Sequence, residues 1–515
     1  MYRIGIDVGG TNTDAVILDG QRVVESAKLS TTEDVITGVT SALEFVMGKA
    51  NVSADSVSAV MIGTTHFLNA LVEGSNLNKV AVLRLCGNST MSLQPMVDWP
   101  PVLKGAVSGY VCTLPGGAEY DGSPITALDV GLLREACQEI KRLGLDSVAI
   151  SSVFAPVKAD DEILAKEIVL SEIPGARVTM SHEVGRLGLL ARESACILNA
   201  CLQNLGKKTF SAFESAFSEL KLNCPLFLTQ NDGTLMSASY AAQFPIFTMA
   251  SGPTNSMRGA AFLSGLKNAI VIDIGGTTSD IGLLVDGFPR ESTQGAEVAG
   301  IRTNFKMPDV FSIGLGGGSI VDKVGETPVI GPVSVGYRLK KKSRIFGGDT
   351  LTATDIAVSH GLFKLGDVSA LADLEQSFVS RAVDKMQEML SSGVERMKPS
   401  KQEIPIILTG GGSVLVKGER IGECRVIRPP HYAAANAVGA AIAQVSGEVD
   451  KVYALEREHR DLALEAAKSE AKRKAITAGA NPDTVEIVEV DETPLAYLPN
   501  NATRIRVKAI GDLLA

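Results

Sequence analysis

Two stretches of this chain say nearly the same thing: IGIDVGGTNTDAVILDG (residues 4–20) and IVIDIGGTTSDIGLLVDG (residues 270–287). Each sets a short apolar run on both sides of a glycine–threonine tip. That pattern predicts two antiparallel strands joined by a tight turn, not a strand leading into a helix. The unit Asp-x-Gly-Gly-Thr-x-x-Asp recurs with five of eight positions identical. Glycines at a hairpin tip permit positive φ and leave backbone N–H groups open to an approaching anion. A threonine hydroxyl adds a donor, and an aspartate at a strand end can hold Mg2+ through water or orient a nucleophile. A single hairpin of this kind would be only a turn. A matched pair in opposite halves of the chain predicts two grips on the phosphates of one nucleotide.

Around these hairpins the pattern is α/β. A helix is expected over 31–49, strands at 57–62, 80–85 and 147–153, and a helix over 128–143. Residues 193–220 read as a long helix with one apolar face, and the main boundary is placed near residue 190. A strand at 404–408 leads into Thr409-Gly410-Gly411-Gly412-Ser413, followed by a small-residue helix over 433–444. From about Gly447 a charged helix (453–478) and strands at 485–490 and 503–509 read as a small α+β appendage. The expected division is therefore 1–190, 191–446 and 447–515.

Composition narrows the function. At 515 residues the chain is long enough for two to four domains. Its charge of −9, with no basic block beyond Lys340-Lys341-Lys342, leaves no footprint for a nucleic-acid backbone. No apolar run approaches the roughly 18 residues of a membrane span, and no secretory leader pattern opens the chain, so a cytoplasmic protein is expected. The seven cysteines show no C-x-x-C pair, which suggests reduced, mostly buried thiols.

The order of first phosphate hairpin, connecting helix, second hairpin, glycine loop and second connecting helix resembles the actin, sugar-kinase and heat-shock-chaperone ATPase superfamily. Its members are duplicated α/β domains, ribonuclease H-like, that close on ATP and Mg2+. The stretches Gly63-Thr64-Thr65-His66-Phe67-Leu68-Asn69, Ser181-His182-Glu183-Val184, Gln230-Asn231-Asp232-Gly233, Ser251-Gly252-Pro253 and Gly314-Leu315-Gly316-Gly317-Gly318-Ser319 narrow the resemblance to the A component of the hydantoinase/oxoprolinase family. That family spends ATP on unreactive carbonyls, hydrolysing hydantoins, 5-oxoproline and other lactams or carboxylating acetone and acetophenone. An amide is a poor electrophile, and phosphorylating its oxygen gives an activated imidate that water can attack.

The resemblance implies that Gly9, Gly10, Thr11, Gly275, Gly276 and Thr277 cradle phosphates. Asp7 and Asp273 become the catalytic acids, holding Mg2+ or orienting the attacking oxygen. Gly410, Gly411, Gly412 and Ser413 are expected at the adenosine, and the loop containing Gly316 and Gly317 at phosphate or substrate. Asp14 and Asp280 either join the nucleotide site or only cap amides of their turns. Thr64, Thr65, His66 and Asn69 emerge at a strand end beside the first hairpin, where open α/β sheets place ligands, and are expected to meet the substrate.

His66 stands where relatives carry an apolar residue. It reads as a proton shuttle or as a substrate-shaping residue; His182 is open to a structural reading. Where relatives carry Pro-Gly-Pro-x-Cys-Tyr, this chain has 336–343 with its three lysines, either reaching toward an anion or forming a solvated loop.

The leading expectation is an ATP- and Mg2+-dependent cyclic amidase component, oligomeric and working with a separately encoded B-type partner subunit. Its alternatives are a carboxylase subunit and a non-catalytic ATP-binding module.

Overall fold

A computed structural model describes residues 1–31, 35–292, 295, 297–305, 307–400, 403–454, 460–496 and 502–514. Two mixed sheets form two bodies. The first has nine strands, in the order Glu486–Pro494, Ala502–Gly511, Gln444–Ala454, Thr234–Ser237, Leu226–Thr229, Val57–Thr64, Tyr2–Val8, Asn12–Asp19 and Arg22–Ser30. The second is built on Ala269–Ile274 and Ser279–Val285, with Ile406–Thr409 and Cys424–Ile427 on one side. A four-stranded parallel sheet (Ser108–Leu114, Val80–Leu85, Ser147–Ser152, Arg177–Met180) is inserted into the first body.

The repeated sequence becomes a repeated structure. Tyr2–Val8 pairs antiparallel with Asn12–Asp19, Asp7 opposite Asp14, and Ala269–Ile274 pairs with Ser279–Val285, Asp273 opposite Asp280. Each leading strand also has a parallel neighbour that ends at the same level, Gly63 beside Asp7 and Thr409 beside Asp273. The loops that follow, Thr64-Thr65-His66 and Gly410-Gly411-Gly412, are therefore delivered to matching places next to their hairpins.

The change of sheet does not coincide with residue 190. The long helix Leu189–Glu219 shares one core with the first sheet and with Val80, Val82 and Ala149 of the inserted sheet. The strands Leu226–Thr229 and Thr234–Ser237 then add to the first sheet, and strands join the second only from Ala269 onward. The C-terminal segment is likewise an extension of the first sheet, since Gln444–Ala454 runs parallel to Thr234–Ser237 and antiparallel to Ala502–Gly511.

Residues 444–454 are strand, so the small-residue helix expected to run to 444 stops short of it and the charged helix expected from 453 begins after it. Those helices occupy Ala435–Ala441 and Arg460–Thr477, and part of the expected charged helix, 455–459, lies outside the described residues. The charged helix is not solvated all round: Ala467, Ala471 and Ala475 line its buried face. On Ala502–Gly511, Ile505 and Val507 enter the core as alternation requires. Arg506 and Lys508, on the opposite face, are also buried and are paired with Glu291, Glu448, Glu489 and Asp232.

Two connecting helices, Ser251–Ser264 and Ala435–Ala441, cross between the bodies at backbone contact. A Cβ on Gly439 would overlap the Asn255 carbonyl, one on Gly259 the Ala435 carbonyl, and one on Gly5 the Ala437 carbonyl. Only a hydrogen fits at these points. Gly439→Ala is expected to destabilise the chain by about 3 kcal/mol, read as a lower Tm. An unchanged Tm would show that the crossing is loose.

Candidate active site

The two hairpin tips are built alike and face each other. Each closes on a first-glycine amide, Gly9 N–H to the Asn12 carbonyl (3.0 Å) and Gly275 N–H to the Thr278 carbonyl (2.9 Å). A Cβ on Gly276 would lie 2.6 Å from the Thr11 hydroxyl oxygen, so the tips all but touch. The amides of Gly10, Thr11, Gly276 and Thr277 donate to no group among the described residues. Open donors on two facing tips are an arrangement that could hold an anion.

Beneath the tips sit the four aspartates. Asp7 is 5% exposed; its Oδ2 accepts from Asn436 Nδ2 (3.3 Å), and its Oδ1 has no partner of good hydrogen-bond geometry among the described residues, with the Asn255 side chain the nearby group that favours its charge. Burial first, then the charge of Asp14, pushes its pKa from an ordinary 3.8 up to about 7. Burial also raises Asp14, even though Lys28 Nζ lies 2.6 Å from both of its oxygens, and raises Asp273 against a hydrogen bond from Ser256. Asp280 is pushed up to about 6 by burial, although Ser312 Oγ donates to it. Among the described residues Asp14 and Asp280 accept from side chains, Lys28 and Ser312, and cap no turn amide.

Among the described residues no three His, Cys, Asp or Glu side chains converge as a direct ligand set. The chemistry fits a cation held by Asp7 and Asp273 through its own water, with the orphaned Asp7 oxygen as an acceptor left over for it.

Thr64, Thr65, His66 and Asn69 come together with Gly9 and Gly10 around one cavity of about 340 Å3. The first turn of the helix His66–Glu73 presents them: the His66 amide donates to Thr64 Oγ1 (3.1 Å), and the Thr65 amide donates to the Val8 carbonyl (3.4 Å). The Ser-Gly-Pro turn supports this loop through Ser251 Oγ at 3.4 Å from the Thr64 carbonyl.

Gly316 and Gly317 do not offer donors to a ligand. Their amides are spent on Ser319 Oγ (2.8 Å) and the Gly275 carbonyl (3.0 Å), and the Gly318 amide goes to the Gly276 carbonyl (2.7 Å). This loop buttresses the second hairpin from behind. The third glycine cluster packs under the same hairpin: Gly410 (φ +80°) has no room for a Cβ beside Asp273, and Gly412 abuts Ile274. Ser413 is fully buried, donating to the Thr409 carbonyl (2.6 Å), whereas Gly411 is exposed and faces Lys28.

His182 has a structural setting, its Nδ1 being 2.6 Å from the fully buried Glu162, which also accepts from Ser181 and the Ser152 amide. The three lysines lie on the short helix Leu339–Lys342, with Lys340 and Lys341 exposed. None of the seven free cysteines lines the cavity.

Lys28, Asn255, Ser256, Asn436 and Tyr337 were not singled out from the sequence. Asn436 alone carried a local signal, as the one polar side chain in Ala433-Ala434-Ala435-Asn436-Ala437-Val438-Gly439.

Duplicated hairpins meeting across a cleft, with connecting helices crossed behind them, define an actin-like ATPase fold. The chain belongs to the hydantoinase/oxoprolinase family: residues 3–173 match the model of its N-terminal region and residues 192–369 the model of the hydantoinase/oxoprolinase domain. It is 27% identical over 427 residues to the caprolactamase alpha subunit of Pseudomonas jessenii, covering 77% of this chain and 60% of that one. It is also 27% identical over 391 residues to the acetophenone carboxylase gamma subunit of Aromatoleum aromaticum, covering 70% and 53%. The chain thus spans little more than half the length of these curated relatives. The crystal structure of the ATP-dependent caprolactamase from Pseudomonas jessenii superposes with a TM-score of 0.78 at 20% identity, over 100% of this chain and 88% of that one.

The raised Asp7 pKa has a stability consequence of definite sign. The folded chain holds this proton more tightly than the unfolded one. The associated stability is complete below about pH 3.8 and is lost as pH rises through about 7. In metal-free buffer Asp7→Asn is expected to melt higher than wild type at pH 8, by roughly 2 °C or more, with a gap that narrows toward pH 5. An equal gap at both pH values would contradict the buried-charge assignment.

Proposed function

We propose that this chain is the ATP-dependent component of a cyclic amidase, activating the carbonyl oxygen of a hydantoin, lactam or related ring for hydrolytic opening. The observation that carries this reading is the joining of the paired hairpin cradle to the cavity of Thr64, Thr65, His66 and Asn69 through Gly9 and Gly10, which belong to both. When bound, ATP and Mg2+ supply the phosphoryl electrophile and neutralise its charge.

The chain's own groups do the rest. Gly10, Thr11, Gly276 and Thr277 offer amides to phosphate oxygens from two sides. Asp7 and Asp273 hold the cation's water, and Asn436, hydrogen-bonded to Asp7, fixes the carboxylate plane. Gly411 and Lys28 border the expected adenosine side. Thr64, Thr65 and Asn69 orient the ring so that its carbonyl oxygen faces the cradle, and His66, at the first turn of its helix, shapes the pocket. In the overall reaction the terminal phosphoryl passes to the amide oxygen and ADP leaves. Water then adds at the carbonyl carbon, the ring C–N bond breaks as the nitrogen takes a proton and leaves an acyl phosphate, and a second water releases the carboxylate and phosphate. A partner subunit is assigned to the hydrolytic half, in keeping with subunit relatives longer than this chain.

A second reading, carboxylation of an activated ketone, draws on the equal identity to the acetophenone carboxylase subunit.

Phosphate release assays on the chain with its neighbouring-gene partner decide between them. Release that depends on a cyclic amide and not on bicarbonate is expected, and bicarbonate-dependent release with a ketone would favour the second reading. Asn436→Ala is expected to lower kcat by about tenfold to a hundredfold while leaving the ring KM nearly unchanged. No ring-dependent phosphate release under any partner condition would sink the amidase reading.

A further inference from the structure

The cavity built by the first body has one wall from the second, Tyr337. This side chain is 57% exposed, and its hydroxyl has no hydrogen-bond partner among the described residues. A large aromatic ring left open to solvent is ordinarily held loosely. Here the backbone beneath it is wired to the tip of the second phosphate hairpin.

Ser334 Oγ donates to the Gly276 carbonyl (3.3 Å) and accepts the Gly336 amide (3.1 Å). The Val335 amide donates to the Gly318 carbonyl (2.9 Å), while the Gly318 amide donates to the same Gly276 carbonyl (2.7 Å). Gly336 turns the chain at φ +54°, and a Cβ added there would lie 3.9 Å from the Thr277 hydroxyl oxygen. The backbone at Tyr337 is therefore tied to the hairpin tip that carries Gly276 and Thr277, and its ring lines the same cavity as Thr64, Thr65, His66 and Asn69.

We propose that Tyr337 is a specificity-determining residue by which the second body closes over the acceptor ring, so that nucleotide and ring tighten each other's binding. This rests on the reading that the hairpins take ATP and the cavity takes the ring. Tyrosine suits the task, since its ring offers an apolar face to a small heterocycle and its free hydroxyl offers a hydrogen bond. The wall also bears on charge: among the described residues Glu73 is the one charged side chain lining the cavity, and no described Lys or Arg lines it. The ring it suits is uncharged, because a free carboxylate would meet Glu73 with no cation to offset it.

Coupling is a binding free energy shared by two ligands, so it is measurable without turnover. The probes are hydantoin, 2-pyrrolidone and 5-oxoproline, the last differing from 2-pyrrolidone by its carboxylate. Each is titrated calorimetrically into the full-length chain with and without a non-hydrolysable ATP analogue and Mg2+. An uncharged ring is expected to bind about tenfold or more tightly when the analogue is present, and 5-oxoproline more weakly than 2-pyrrolidone.

Tyr337→Ala is expected to abolish that enhancement while changing analogue affinity, measured without the ring, by less than about twofold; Tyr337→Phe is expected to keep most of it. Ser334→Ala, which removes the side-chain part of the tether but keeps its backbone part and the tyrosine, is expected to reduce the enhancement. Lys340→Ala, on the neighbouring short helix, serves as the unaffected control. Full enhancement in Tyr337→Ala, or tighter binding of 5-oxoproline than of 2-pyrrolidone, overturns the proposal. Wild type that binds the analogue without enhancing any of the three rings overturns it and leaves the nucleotide reading standing. Wild type that binds no analogue overturns both.

Discussion

The crossing of the two connecting helices at backbone contact is the constraint on which the site depends. Gly259 and Gly439 bring Ser251–Ser264 and Ala435–Ala441 together without side chains between them, and Gly5 sets the second helix directly on the leading strand of the first hairpin. The same two helices carry Asn255, Ser256 and Asn436, which reach Thr229, Thr409 and Asp7 at the strand ends. Close packing and polar support thus come from the same few turns. A wider crossing would separate Thr11 from Gly276 and open the cradle.

That geometry gathers buried negative charge in one place. Four aspartates lie at matched strand positions, each with its pKa raised chiefly by burial, and Lys28 is the cation paired among them. Carboxylates held in such surroundings destabilise the ionised protein and become useful once a cation and a phosphate chain share the space. The unpartnered Asp7 oxygen marks where this cost is concentrated. Elsewhere in the molecule buried charge is settled locally, as in the Arg84–Glu193 pair inside the inserted sheet's core.

Much of this was legible because the information was local and repeated. Both hairpins, their register, the third glycine strand and the strand-end loop at Thr64 follow from short stretches whose period and turn residues agree with one another. Gly316 and Gly317 look like phosphate ligands in sequence because a glycine run exposes amides in general. Here the Gly316 amide is spent on Ser319 Oγ, and the Gly317 and Gly318 amides on the Gly275 and Gly276 carbonyls 42 positions earlier, which no local pattern announces. The boundary near 190 failed to mark the change of sheet for a similar reason, since strand addition at a sheet edge is decided by partners far away in the chain. Lys28 carries no motif at all, and the stretch 336–343 draws attention to its lysines and not to Tyr337. Each matters because a strand or a tether aims it across the cleft.

One nucleotide gripped from both sides, not two separate sites, is the central claim, and calorimetric titration of a non-hydrolysable ATP analogue with Mg2+ tests it most directly. A stoichiometry of one per chain is expected, lost on replacing Asp7 alone and equally on replacing Asp273 alone. Two nucleotides per chain, or a variant at one hairpin that leaves binding at the other intact, would contradict it.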